Sequence, residues 1–129
     1  MNNQEIIINV FKKYNPRLEI AEGTKDSTKL QLFDCDEYKL GVLIFYNVEM
    51  ICLTTWKEFY SNIEFYNKGN LPIWLSFVHK AVSENDLIIV FRNDLFYAGD
   101  DESLLPIFEN VRIGYVICKS FVFIQDGNV

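Results

Sequence analysis

Histidine occurs once in this chain, at His79, and cysteine three times, at Cys35, Cys52 and Cys118. A zinc site draws on several His or Cys ligands, and a nucleophile–histidine couple needs its base beside a reactive hydroxyl or thiol. One histidine in an apolar stretch beside Lys80 is expected to be a packed or helix-end side chain. There is no Cys-x-x-Cys pair, no glycine-rich phosphate loop and no nucleophile elbow. Long apolar runs are also missing. The longest, Leu40 to Val48, is interrupted by Asn47 and falls far short of the ~20 residues of a membrane-spanning helix. The opening residues Met1 to Glu5 have no basic segment and no small-residue cleavage site, so a cytoplasmic protein with reduced thiols is expected. Cys52 and Cys118 lie in strand-like apolar runs and are expected in the core. Cys35, between Asp34 and Asp36, has a poor environment for a thiolate nucleophile.

Positive charge is scarce in the second part of the chain. Residues 81–129 carry eight acidic and three basic side chains, a net of -5 out of the -6 of all 129 residues. The centre of this excess is Asp94-Leu-Phe-Tyr-Ala-Gly-Asp-Asp-Glu102, where carboxylates flank an aromatic pair. Such a patch repels nucleic acid and anionic membrane and attracts basic partners. Direct nucleic-acid binding is therefore not expected.

Aromatic residues are plentiful instead, 16% of the chain, and half of all residues are hydrophobic. That composition argues for a folded core, and the length argues for a single α+β domain over 1–129. Asn2 and Glu5 can cap a helix over 3–14, with Ile7, Val10, Phe11 and Tyr14 at helical spacing and Pro16 ending it. Strands are expected at 17–22, 28–33, 38–46 and 49–54. The continuous apolar runs of the last two predict strands covered on both faces, with a tight hairpin at Asn47.

Trp56, Phe59, Tyr60, Ile63 and Tyr66 fall at helical spacing behind a Thr55/Glu58 capping box, predicting a helix over 56–67 that Gly69 ends. A second helix over 71–82 begins near Pro72, and a short one over 104–110 follows Ser103. Residues 86–92 and 95–98 read as a hairpin, and strands over 111–119 and 121–125 finish the chain. The expected fold is a mostly antiparallel or mixed sheet packed against three to four helices.

No catalytic set, metal or cofactor is expected. Paired carboxylates are the one enzymatic route the composition leaves open, and Asp34, Asp36 and Glu37 lie at an expected turn, as do Asp100, Asp101 and Glu102. The last two also suit the N-terminal dipole of the 104–110 helix. In an alternating strand, one of Phe96 and Tyr97 faces outward among Asp94, Asp100 and Asp101. An aromatic anchor ringed by acids is a recurrent hot-spot arrangement. The expected partner surface is therefore Asp94, Phe96, Tyr97, Asp100, Asp101, Glu102 and Glu109, meeting a basic protein.

Twelve asparagines with abundant Ile, Phe, Tyr and Lys are a composition typical of AT-rich bacterial islands. A short, acidic, single-domain chain of this kind, without a visible active site, resembles the bacterial immunity proteins of polymorphic toxin systems, including contact-dependent growth inhibition. The resemblance is one of overall type and rests on no family-specific motif. It implies tight binding to a cognate, basic, nuclease-like toxin C-terminal domain through carboxylates that occupy its phosphate-binding surface. The alternatives from the residues alone are a small-molecule binder with an aromatic-lined pocket, a carboxylate-based enzyme and a nucleic-acid mimic.

Overall fold

A computed structural model describes residues 2–24, 26–53, 60, 62–92 and 113–126, without the side chains of Glu22, Trp74, Phe77 and Ile113. The chain opens with helix α1 (Asn3–Tyr14), in which the Asn2 side chain accepts from the Glu5 N–H at 2.9 Å. Asn15 closes it in the left-handed conformation, its N–H donating to the Phe11 carbonyl at 3.0 Å. Eight strands follow: β1 (Arg17–Gly23), β2 (Ser27–Phe33), β3 (Lys39–Tyr46), β4 (Met50–Cys52), β5 (Asn62–Tyr66), β6 (Leu87–Arg92), β7 (Ile113–Cys118) and β8 (Ser120–Gln125). They form two antiparallel sheets, ordered β1-β2-β3-β8 and β4-β7-β6-β5.

The two sheets share a bent ribbon. β3 pairs with β8, and β4, three residues further along the chain, pairs with β7. Tyr46 faces Ser120, while Met50 faces Ile117, so the step from 46 to 50 on one side answers 120 to 117 on the other. One extra residue sits on the β3–β4 side, a bulge that turns the ribbon from sheet to sheet. Asn47 takes it up with φ 54°. Backbone bonds continue through the bend, from the Lys119 N–H to the Tyr46 carbonyl and from the Glu49 N–H to the Ile117 carbonyl. Asn47 therefore makes a corner between sheets rather than the expected hairpin.

The main core lies between the sheets and α1. Ile7, Val10 and Phe11 of α1 meet Leu18, Leu30, Leu32, Leu43 and Phe45 of the first sheet and Ile63, Ile89, Phe91 and Val116 of the second. Phe91 is its aromatic hub, with ring centroids 5.8 Å from Phe11, 5.8 Å from Tyr60 and 6.4 Å from Phe45. A smaller core covers the other face of the second sheet. There Leu75, Val78 and Val82 pack on Ile88, Val90 and Ile117.

Three expectations are corrected here. First, α1 is the sole α-helix among the described residues, against three to four expected helices. Residues 62–66 of the expected 56–67 helix form β5, because pairing with β6 puts Ile63 into the core. The expected 71–82 helix is a 3₁₀ helix over Ile73–Ala81, in which Leu75 and Val78, three apart, face the sheet. The 104–110 helix falls outside the described residues.

Second, the strands covered on both faces are β6 and β7, not β3 or β4. β3 alternates, with Leu43 and Phe45 buried and Val42 and Ile44 half-buried, and all three residues of β4 are exposed. Third, Cys118 is buried as expected, but Cys52 on β4 is exposed. No helix among the described residues is long and apolar enough to cross a membrane.

Candidate functional site

The seven residues of the expected partner surface, Asp94, Phe96, Tyr97, Asp100, Asp101, Glu102 and Glu109, lie outside the described residues. They belong to the 93–112 connection between β6 and β7. The frame that carries this connection is described. β6 is paired along one edge with β5 and along the other with β7, ending at Arg92, which faces both Asn62 and Ile113. Both edges of β6 are thus occupied, whereas the expected hairpin gave one of them to residues 95–98.

Around the root of the connection, polar side chains share the outer face of the second sheet. Arg92 lies 3.7 Å from Glu64. Burial, with the neighbouring Glu64 charge, pushes the Tyr66 phenol up, and Arg92 opposes the shift. On β7 the Tyr115 hydroxyl donates to the Met50 thioether at 3.5 Å. Burial, then Cys52 beside it, pushes that phenol up as well.

A second cation of this half of the chain is tied down at the ribbon's bend. Lys119 donates to Asp86 Oδ1 at 2.6 Å, while Asp86 Oδ2 accepts from the Ser83 N–H at 2.8 Å. Asp86 has a side chain with no exposed surface, and Lys119 is about one-third exposed (38%). Of the three basic residues in 81–129, Arg92 and Lys119 are therefore held by the acids Glu64 and Asp86.

The other acidic cluster has a structural role. Asp34 Oδ1 accepts from the Asp36 and Tyr38 N–H groups at 2.9 and 3.0 Å, an Asx turn that leads into β3. Glu37 pairs with Arg17, which also reaches Glu19 at 3.3 Å. His79 is exposed near the end of the 3₁₀ helix, its carbonyl accepting from the Val82 N–H. Among the described residues, no three His, Cys, Asp or Glu side chains gather as a metal site.

One feature was not foreseen from the sequence. An open groove of about 450 Å³ lies between the two sheets, lined by Ile20 and Gly23 of β1, Thr24, Thr28 of β2, and Val48, Glu49, Met50 and Ile51 around β4. Its lining holds no aromatic residue and a single carboxylate, so it is neither the aromatic pocket nor the facing carboxylate pair of the alternative readings. No local signal marks it, because it depends on which strands end up at the sheet edges. No protein-family model, curated protein or solved structure matches this chain.

Proposed function

We propose that this protein is an immunity-type inhibitor that binds and neutralises a basic, nuclease-like toxin domain through the acidic surface running from Asp94 to Glu109. The observation that carries this reading is the acidic balance of the 93–112 connection in the sequence. It holds five acids and one arginine, and the two nearest described cations of the same half are engaged by Glu64 and Asp86. A basic cleft built for phosphate is a natural complement. Asp100, Asp101 and Glu102 would take the positions of phosphates, and Phe96 or Tyr97 would anchor the contact where water is excluded. The core aromatics give no support to a small-molecule pocket, since Phe11, Phe45, Tyr60 and Phe91 pack on one another.

The test is to search the neighbouring reading frames for a basic C-terminal toxin-like domain and to co-express any that is found with this chain. Growth should be rescued by the wild-type chain. The triple reversal Asp100→Lys, Asp101→Lys, Glu102→Lys should abolish rescue and weaken binding at least a hundredfold, with the circular dichroism spectrum unchanged. Full rescue by the reversed protein would show the named surface to be wrong, and failure of the wild-type chain to bind would remove the inhibitor reading.

A further inference from the structure

The first sheet buries one face, and its other face is only partly suited to water. Leu30 and Leu32 of β2, Leu43 and Phe45 of β3 and Phe123 of β8 point into the main core. The residues between them point the opposite way. The solvated face of an antiparallel sheet is ordinarily polar. On β2 it is, with Lys29 and Gln31. On β3 and β8 it is not. Val42 faces Ile124 and Ile44 faces Val122, two cross-strand pairs of β-branched aliphatics side by side. None of the four belongs to either core. Phe33 and Tyr46 extend the patch at its two ends. Ile124 is 55% exposed and Tyr46 38%. A contiguous apolar patch of this kind marks a contact surface.

We infer that this face docks on the same face of a second copy, making a symmetric dimer with the two sheets packed face to face. Charge selects the occupant. Arg17, Lys29 and Lys39 stand around the patch against Glu19 and Glu37, and Arg17 pairs with both glutamates. Three cations against two carboxylates give this face none of the acidity of the whole chain, net -6. A basic protein would meet Lys29 and Lys39 as like charge, with Glu19 and Glu37 already engaged. A second copy brings its own near-neutral face, so the aliphatics are covered without gathering charge of one sign. The size agrees with this. Four strands of six to eight residues make a face of roughly 20 by 20 Å. Two such faces bury on the order of 1,000 Å² in all, at the small end for a specific contact, so the dimer is reversible. None of this rests on the inhibitor function proposed above.

The experiment is sedimentation velocity on the full chain, from about 1 µM to about 300 µM. A monomer at the low end and a dimer at the high end are expected. The dimer should persist from about 100 mM to about 1 M NaCl, because apolar contact and not charge holds it. Ile124→Lys, at a position already more than half exposed, should weaken association at least tenfold, with the circular dichroism spectrum and urea midpoint of the wild type. Val42→Thr, which keeps the β-branched shape, should weaken it about threefold.

Ile51→Lys, on β4 of the other sheet, should leave the dimer within twofold. The triple reversal at 100–102 should not weaken it, which separates this face from the surface proposed above. A wild-type chain that stays monomeric at the highest concentration, or a dimer of full strength in Ile124→Lys, would overturn the inference. So would a dimer lost in Ile51→Lys, in the triple reversal or at high salt, since another surface would then hold the pair.

Discussion

Asp86 is a charged group with no exposed side-chain surface, and its partners set the sign of its contribution to stability. Burial alone would raise its carboxyl pKa. The hydrogen bond and charge of Lys119 and the N–H of Ser83 outweigh that, and hold it below the ordinary 3.8. The folded state therefore binds this proton more weakly than the unfolded state. Its contribution is fully present above the unfolded pKa and is lost as pH falls through the lower folded one. Asp86→Asn should cost about 1–3 kcal/mol at neutral pH. In urea denaturation the gap from wild type should shrink as pH is lowered towards about 3. A gap independent of pH would show that packing, not charge, is what Asn disturbs. Gly41 acts through space instead. A Cβ there would lie 2.5 Å from the Ile124 carbonyl oxygen and 2.7 Å from the Phe123 ring. Gly41→Ala should cost about 1–3 kcal/mol, read as a lower urea midpoint with an unchanged slope.

At the scale of elements, the corner at Asn47 decides how one ribbon serves two sheets. Its φ of 54° suits Asn and Gly, and a β-branched residue is strained there. Asn47→Gly should leave stability within about 0.5 kcal/mol, whereas Asn47→Val should lose about 1–2 kcal/mol, measured by chemical denaturation. The residue type was legible in the sequence; its role was not, since a left-handed Asn serves a hairpin or a bulge equally well. The same holds for 62–66. Asn-Ile-Glu-Phe-Tyr alternates with period two, yet Ile63 and Tyr66 also fit the helical spacing begun at Trp56. Pairing with β6 settles the ambiguity, and no local residue states it. Where Gly69 is expected to end one helix, a single 3₁₀ turn over Lys68–Asn70 forms instead, capped by Asn67 with Asn70 as its reciprocal partner. Where one local template had no rival, as in α1 and β1 to β3, sequence and structure agree to within a residue or so at each end.

For the whole molecule, charge is segregated rather than merely negative. The net of residues 1–80 is -1, against -5 for 81–129, and Glu64 and Asp86 pair with the described cations of the second half, Arg92 and Lys119. This asymmetry can be counted in the sequence. The places of β1 and β4 at the ends of their sheets among the described residues cannot, because they exist only once β3 and β7 have taken their partners. A field concentrated on one side steers a basic partner during approach, while buried contacts govern escape. With the purified toxin domain, raising NaCl from about 50 mM to about 500 mM shortens the Debye length from roughly 14 Å to roughly 4 Å. Association should slow at least tenfold over that range, with the dissociation rate changing less than threefold, both followed by stopped-flow fluorescence. The triple reversal at 100–102 should flatten the salt dependence of association. An association rate that ignores salt in the wild-type chain would remove steering by the acidic connection from the account.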